Sequence, residues 1–442
     1  MGPLHHAASR RGPPPRSGED LERFTRATIA GAGLAGLSAA VRLAEAGLQV
    51  RIADSAAQAG GRCRSYHDTQ LGLTIDNGNH LVLSGNTSVA RFRATVGATE
   101  SLAGPEHAEF AFTDLADGAS WTIRLNDGPV PWWVFAKDRR VPGTGVADYL
   151  KLAGVLTGGA RATVGDRIAA AGPVWVRLLE PVLLAVLNTR PERGSARLVA
   201  AVLKESLLRG GKPSRPRIAE PSLGAAFIDP ALAWLAGRGA PLTLGKRLRA
   251  IATEGDRVTA LDWGAGPEPV ADDEAVVLAV PPWVATSLLP EIPAPDVFHA
   301  IVNAHFAVTP PKGAPAMLGV LGGTAEWLFA FPDRISVTVS AADAIVDLDR
   351  EELARRFWAD IQSAYGFTAN MPRWQIVKEK RATFSATPEQ DAKRPPAKTR
   401  WRNLFLAGDW TQTGLPATIE GALRSGETAA RLVRAPSSRT QS

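Results

Sequence analysis

The chain has 442 residues, a length that suits two domains better than one. Hydrophobic residues make up 45% and charged residues 21%, the composition of a folded globular protein rather than a disordered one. The net charge of +6 is spread without a dense stripe of Lys and Arg, so we expect no nucleic-acid partner.

A single cysteine, Cys63, excludes an intramolecular disulfide and any cysteine-based metal site. Residues 1–25 are rich in Pro, Arg and Ser, and we predict disordered tails at 1–25 and 435–442. Prolines and acidic residues, instead of an apolar segment, follow the Arg10-Arg11 pair, so we expect no export and a cytoplasmic protein. The longest uncharged run, Ala27–Val41, is shorter than the ~20 residues of a membrane span. Any membrane contact would therefore be one-sided.

The first predicted elements are a strand, a helix and a strand. A β-type run at Ala27–Ala30 leads into a glycine-rich turn, and a helical pattern then continues to Gly47. The second strand, Gln49–Ala53, stops at an acidic residue, Asp54. This order is the βαβ fingerprint of a dinucleotide site.

Each glycine of the turn "GAGLAG" has its own role in such a site. Gly31 permits the tight turn, Gly33 lets the backbone approach a pyrophosphate, and Gly36 lets the helix pack on the strand. The helix start around Ala35 offers free N–H groups to the phosphates. Asp54, 18 residues after Gly36, is placed to accept hydrogen bonds from a ribose. The alternative is a glycine-rich packing turn without a ligand.

A second glycine turn, "AGGRCRS" at Ala59–Ser65, follows the second strand almost at once. Two glycines and an arginine there predict a second phosphate-binding loop, with Gly61 and Arg62 facing the ligand. The alternative is a surface turn with a solvated arginine.

The last predicted elements are a strand and a helix. "NLFLAGDWT" predicts a strand, Leu404–Ala407, that ends in Gly408-Asp409, and a helix begins at about Thr418-Ile419. So many polar residues before a helix exceed what a simple cap requires, although an ordinary capped helix is the alternative.

Together these motifs resemble the FAD-dependent amine oxidase and phytoene desaturase superfamily. The resemblance implies that Gly61 and Arg62 contact the FAD pyrophosphate and ribityl chain, as do Gly408 and Asp409. It also implies that the last helix, from Thr418 and Ile419, directs its N-terminus at the pyrimidine edge of the flavin. The backbone of Leu248 would contact the adenine.

The same resemblance implies an α/β fold. It combines a discontinuous Rossmann-like FAD-binding domain with a mixed α+β substrate domain of the amine oxidase and phytoene desaturase type. The predicted FAD-binding domain comprises 26–93, 225–298 and 399–434, and the substrate domain 94–224 and 299–398. Within the second FAD segment, the sequence predicts a hairpin turning at Glu254–Asp256 and a buried strand before Pro281.

A narrower resemblance involves the stretches "IDNGNHLVLSGN", "LNTRPERGSARLVAAVLKESLLRGG", "EPSLGAAFIDPALAWL" and "AGDWTQTGLPATIEGALRSG". They are similar to the squalene-associated FAD-dependent desaturase family, the bacterial hydroxysqualene dehydroxylases of hopanoid biosynthesis. This resemblance covers about residues 27–432, with Asp54 as a departure because glutamate is commoner there. It implies that hydride from reduced FAD replaces the allylic hydroxyl of hydroxysqualene, which gives squalene and water.

Two alternatives share the fold: a carotenoid desaturase of the phytoene type and an amine oxidase. A third, the prenyl-binding escort proteins without redox chemistry, is disfavoured because their flavin motifs are eroded and those of this chain are present. The sequence does not identify the electron donor.

Loss of hydroxide into an apolar pocket needs an acid. The candidates are His80, in the "DNGNH" loop expected near the flavin, and Asp229, before Pro230. His80 is equally well explained as a structural histidine, and an Asp before Pro is usually a turn device. We expect Asp76 to orient the loop and Glu420 to cap a helix. His305 is a weaker candidate for the pocket wall.

"VPWWVFAKDRR" at Val130–Arg140 predicts a lipid contact, because Trp132 and Trp133 stand beside cations. The alternative is an aromatic edge that lines the substrate tunnel or the core. A further amphipathic helix is predicted from Ser195 to Gly210, with its apolar face in the core or along the tunnel. We expect peripheral contact with the inner face of the cytoplasmic membrane.

Overall fold

The computed structural model describes residues 24–99 and 102–435. The two predicted tails lie outside the described residues except for Phe24, Thr25 and Ala435.

Strands form five sheets in the described residues. In chain order the strands are β1 (Arg26–Ala30), β2 (Gln49–Ala53), β3 (Ser65–Asp68), β4 (Leu73–Asp76), β5 (Leu81–Leu83), β6 (Leu102–Ala103), β7 (Glu109–Asp114), β8 (Ser120–Arg124), β9 (Pro216–Ala219), β10 (Leu242–Thr243), β11 (Ala250–Glu254), β12 (Arg257–Asp262), β13 (Pro267–Pro269), β14 (Glu274–Leu278), β15 (Phe298–Phe306), β16 (Met317–Leu321), β17 (Trp327–Phe331), β18 (Arg334–Val339), β19 (Trp374–Phe384) and β20 (Leu404–Leu406).

The helices are α1 (Leu34–Glu45), α2 (Thr87–Thr95), α3 (Val146–Leu150), α4 (Glu180–Leu187), α5 (Ala196–Glu205), α6 (Asp229–Ala236), α7 (Pro282–Leu288), α8 (Arg350–Tyr365), α9 (Pro388–Ala392) and α10 (Ile419–Arg434). Single π-helical turns, Trp175–Leu179 and Gly224–Ile228, lead into α4 and α6. Among the helices of the described ranges, none combines the length and apolarity that crossing a bilayer requires.

A parallel sheet of order β10-β2-β1-β14-β20 forms one half of the molecule. Helices α1, α6 and α10 cover one face, where residues such as Ile29, Val277 and Leu423 are buried. The antiparallel sheet β11-β12-β13 and α7 cover the other face around Val276, Leu261 and Trp401. The central strand β14 is buried along its whole length because both faces of the sheet are covered.

The other large sheet has the order β19-β15-β18-β17-β16-β7-β8. Its β15, β17 and β18 pair antiparallel, and α8 packs on one face through Leu353, Phe357 and Ile361. Small sheets, β3-β4 and β5-β9-β6, complete the architecture. The predicted α/β fold is confirmed, as is the hairpin, which is formed by β11 and β12. The exact domain division stays a prediction.

One predicted helix is shorter than expected. Ser195 caps α5 by accepting a hydrogen bond from the N–H of Leu198, but α5 ends at Glu205 instead of Gly210. Ser206 has φ −123° and ψ −95°, which is outside the helical region, and a separate 3-10 turn, Leu207–Arg209, follows. Leu207 and Leu208 consequently do not extend the buried face of α5.

Candidate functional site

Three of the predicted cofactor residues lie at the carboxyl edge of the parallel sheet. Strand β1 runs into Gly31, β2 into Asp54, and β20 into Gly408 after one further residue. In open α/β sheets ligands bind outside this edge, where helices begin on both sides.

The first glycine turn leaves space at one position and none at the other two. Gly31 has φ +112°, and a Cβ there would lie 2.3 Å from the carbonyl oxygen of Ala279. A Cβ on Gly36 would lie 1.9 Å from the carbonyl oxygen of Gly31, whereas a Cβ on Gly33 would meet nothing within 4 Å. The chain thus leaves open the place that a pyrophosphate would occupy.

The N-terminus of α1 keeps its hydrogen-bond donors available. Its N-cap residue, Gly33, has no side chain that could satisfy the first N–H groups. Ala35 is buried. A Cβ added to Gly426 would lie only 2.3 Å from the carbonyl oxygen of Ala35, so the backbones of α1 and α10 are in close contact. Free N–H groups beside open space fit a phosphate group.

Asp54 and Leu248 adjoin each other on the far side of this turn. The Asp54 carboxylate accepts from the N–H of Ala32 at 2.6 Å, which fixes it against the glycine turn. The carbonyl of Asp54 accepts from the N–H of Lys246, so the segment that contains Leu248 runs beside it. Leu248 is buried, yet within the described residues neither its N–H nor its C=O has a hydrogen-bond partner. Unsatisfied groups of this kind fit the edge of an adenine.

The second glycine turn crosses the first. The N–H of Gly60 donates to the carbonyl of Ala32 at 2.8 Å, and Gly61 has φ +56° with its Cβ position 3.4 Å from the Cα of Gly33. Arg62 Nη2 donates to the carboxylate of Asp409 at 2.7 Å. This ion pair joins the second glycine turn to the end of β20, so motifs 347 residues apart meet.

Gly408 and Asp409 are held from two directions. Gly408 has φ +154°, and its N–H donates to Ser425 Oγ of α10 at 2.8 Å. Arg394, which the sequence analysis missed, is buried beneath the following loop. Its guanidinium donates to the carbonyls of Asp409, Thr411 and Leu415 and pairs with Asp391. No local pattern indicates Arg394, because the three carbonyls that it binds are brought to it only by the fold.

The start of α10 has the predicted polar cap. Thr418 is the N-cap, and its hydroxyl accepts from the N–H of Gly421 at 3.0 Å, whereas Ile419 is the first helical residue and is buried. Glu420 faces away from this end. Its carboxylate accepts from the N–H groups of Ser88 and Val89 in the first turn of α2. Glu420 is therefore the cap of a neighbouring helix, in agreement with the expected capping role.

The loop after β4 brings His80 towards the same edge. His80 Nδ1 donates to the carbonyl of Gly78 at 2.8 Å, which leaves Nε2 without that hydrogen. Burial lowers the pKa of His80; the bond to Gly78 opposes this effect, and the positive charge of Arg62 lowers the pKa further. The N–H of Asn77 donates to the carbonyl of Arg64 at 3.0 Å, so the loop that carries His80 lies against the second glycine turn.

Asp76 orients this loop, as expected. Its carboxylate accepts from the N–H of Leu223 at 2.9 Å and from the hydroxyl of Ser65, whose oxygen in turn accepts from the N–H of Gly224. Burial raises the pKa of Asp76 to about 6. The "EPSLGAAF" stretch is thereby tied to the "DNGNH" loop, which gives that stretch a structural explanation.

The remaining two candidates lie in different environments. His305 is wholly buried between the carbonyl of Asp76, to which Nε2 donates, and Ser336 Oγ, and burial lowers its pKa to about 3. It is a neutral structural histidine. Asp229 follows the π-helical turn Gly224–Ile228 without a break, so it lies inside a continuous helical segment, where it is exposed.

Comparison with known proteins decides the family. The profile of flavin-containing amine oxidoreductases matches residues 34–434. The chain belongs to this family. Hydroxysqualene dehydroxylase of Rhodopseudomonas palustris is 53% identical and aligns over 92% of this chain and 98% of its own length. The enzyme of the same name from Zymomonas mobilis is 49% identical, over 91% and 98%.

Other similar proteins are more distant. A 15-cis-phytoene desaturase from an Oncidium hybrid cultivar is 24% identical over 92% of this chain and 77% of its own. An oxidoreductase structure from Methanosarcina mazei superposes with a TM-score of 0.69 at 16% identity, over 92% and 100% of the two chains. The predicted family resemblance is confirmed, and the chain is an oxidoreductase that uses a flavin.

Proposed function

We propose that this protein is a hydroxysqualene dehydroxylase, which converts hydroxysqualene to squalene. The observation that carries the proposal is the 53% identity to a protein of that name over 92% of the chain. In the reaction the C–O bond breaks, a hydride forms the new C–H bond, and a proton joins the hydroxyl so that it leaves as water. The desaturase and amine oxidase alternatives would oxidise their substrates instead.

The flavin is FAD in this proposal. The support is the adenosine end of the site, where the Asp54 carboxylate is fixed by Ala32 and the Asp54 carbonyl binds Lys246, in the segment that contains Leu248. A flavin cofactor without adenosine would need neither Asp54 nor Leu248. The open face of Gly33 and the free N–H groups of α1 would hold the pyrophosphate, with Arg62 as its cation. When bound and reduced, FAD supplies the hydride.

The other end of the cofactor would be held by the last strand and helix. Gly408 and Asp409 would contact the ribityl chain, in positions that Arg394 and Ser425 fix. The N-terminus of α10 at Thr418 and Ile419 would place its positive dipole end at the ring. Such a dipole stabilises negative charge, so it favours the reduced form.

His80 is the residue that we propose as the proton donor. Its Nδ1 is fixed to Gly78, so Nε2 is the atom free to exchange a proton with the leaving hydroxyl. His80 is protonated only below its lowered pKa. Its imidazolium is therefore a stronger acid, but a smaller fraction of the protein carries it at high pH. Turnover should therefore fall as the pH rises through this pKa.

Asp229 remains the second predicted acid. It is exposed, whereas an allylic cation must be kept from water or it would return to alcohol. The surroundings of His80 support the donor role better than those of Asp229.

We also propose that the protein acts at the cytoplasmic face of the membrane, because an isoprenoid hydrocarbon substrate partitions into lipid.

The test is product analysis with the purified yellow protein. After anaerobic reduction of its flavin, we expect conversion of hydroxysqualene to squalene by mass spectrometry. Recovery of the unchanged alcohol, or oxidation of phytoene or an amine instead, would refute the proposal. A His80→Ala variant that retains flavin should lose most turnover, and full turnover would remove the donor role.

A further inference from the structure

An exposed apolar face stands out on the surface. The described residues have ten large apolar side chains that are strongly exposed, and six of them lie on three neighbouring segments. We name this the apolar face; its residues are Val130, Trp132, Phe135, Leu150, Leu207 and Leu208. Scattered exposed apolar residues need no explanation, but a cluster of this kind marks a binding surface.

Asn126 brings two of the segments together. Its carbonyl accepts from the N–H of Gly211 at 2.8 Å, just after the Leu207–Arg209 turn. Its side-chain amide donates to the carbonyl of Val130 at 2.8 Å, and its side-chain oxygen accepts from the N–H of Trp133. The turn that carries Leu207 and Leu208 is thus fixed beside the loop that carries Val130.

The two predicted tryptophans separate in the structure. Trp133 turns inward and meets Tyr149 edge-on, with ring centroids 5.2 Å apart. Trp132 is 65% exposed and Phe135 63% exposed, and their rings lie 6.0 Å apart. Leu150, directly after Tyr149, is 70% exposed. Trp133 belongs to the core, and Trp132 belongs to the surface.

Positive charges border the apolar face. Lys137 and Arg139 are exposed in the turn after Phe135, and Arg209 is exposed beside Leu208. Two of the nearby acidic residues form ion pairs, Asp127 with Arg215 and Asp148 with Lys151. Asp138 is exposed between Lys137 and Arg139. The border is cationic overall.

We infer that the apolar face inserts into the headgroup region of a bilayer and that Lys137, Arg139 and Arg209 contact anionic lipid headgroups. Exposed aromatic side chains beside cations are suited to this depth. The inference deepens the proposed function, because it names the surface through which the enzyme would meet the lipid phase that dissolves its substrate.

Vesicle flotation of the full-length protein tests this surface. We expect the protein to float with phosphatidylcholine vesicles that contain phosphatidylglycerol, and less with phosphatidylcholine alone. The double variant Trp132→Ala/Phe135→Ala should partition roughly tenfold more weakly or worse, because two aromatic anchors are lost. Lys137→Gln/Arg139→Gln should weaken binding to the anionic vesicles roughly 20- to 30-fold at low salt, at about 1 kcal/mol per cation.

Val297→Ala is the matched control, since Val297 is 47% exposed but lies outside the apolar face, and it should float like the wild type. Wild-type protein that stays unbound on anionic vesicles would overturn the inference, as would variants that bind equally well. A dimer that the Trp132 and Phe135 changes dissociate, without vesicle binding, would assign the face to self-association instead. Turnover in detergent solution is measured separately, so failure of flotation and failure of the dehydroxylase assignment are distinguishable.

Discussion

Two glycines in one turn give the sharpest test of the cofactor site. Gly33 has φ −75° and ψ 175°, a conformation that alanine adopts, and a Cβ there meets nothing within 4 Å. Gly33→Ala should therefore change the unfolding free energy of the apoprotein by no more than about 1 kcal/mol. In the loaded protein the methyl group would stand where the pyrophosphate approaches.

The expected loss of affinity follows from overpacking. An extra methyl group in a filled site costs about 1–3 kcal/mol. The dissociation constant of FAD should consequently rise roughly 5- to 140-fold, at 1.4 kcal/mol per factor of ten. Fluorescence titration of the apoprotein with FAD measures this constant, and thermal unfolding of the same apoprotein measures the fold.

Gly36→Ala is the matched comparison, because its Cβ would lie 1.9 Å from the carbonyl oxygen of Gly31. It should lower the unfolding temperature of the apoprotein as well as the affinity. The reasoning is refuted if Gly33→Ala binds FAD like the wild type, or if Gly33→Ala unfolds the apoprotein as readily as Gly36→Ala.

Three further predictions concern charged groups. Arg62→Gln should weaken FAD binding roughly tenfold or more, since a charge-assisted hydrogen bond is worth about 1.5–3 kcal/mol, whereas an unchanged titration would contradict the phosphate role. Glu420→Gln should lower the free energy of unfolding in urea by about 1–3 kcal/mol, because the buried carboxylate of Glu420 caps α2 and pairs with Arg424. A variant that unfolds at the same urea concentration as the wild type would contradict this role. The pKa of Asp76 is raised to about 6 in the folded protein, against about 3.9 in the unfolded chain. The protonated carboxyl therefore stabilises the fold fully below about pH 3.9, and this stabilisation is lost as the pH rises to about 6. Across that window the wild type should lose roughly 2–3 kcal/mol relative to Asp76→Asn in urea unfolding, and parallel pH profiles would exclude the effect.

The first βαβ unit could be predicted closely from the sequence because its determinants are local. The strand Gln49–Ala53 has the predicted bounds, and Gly31, Gly33 and Gly36 adopt the conformations that such a turn requires. The last helix begins next to the predicted Thr418 for the same reason, since an N-cap acts on the residues that follow it.

Features that depend on distant segments could not be predicted. Arg394 supports the loop after Asp409 through backbone carbonyls, which carry no sequence signal. The sequence predicts that Asp76 orients its loop, but it does not indicate the partner Leu223, which is 147 residues away. Trp132 and Trp133 have the same neighbours in sequence, and only the tertiary contact with Tyr149 separates the half-buried ring from the exposed one.

We propose that this flavoprotein reduces an allylic alcohol. A single-turnover reaction of the fully reduced protein with hydroxysqualene, without oxygen, tests it most directly. We predict one squalene formed for each flavin reoxidised, with the oxidised spectrum appearing only when substrate is added. A flavin that stays reduced while the alcohol is recovered intact would contradict the account.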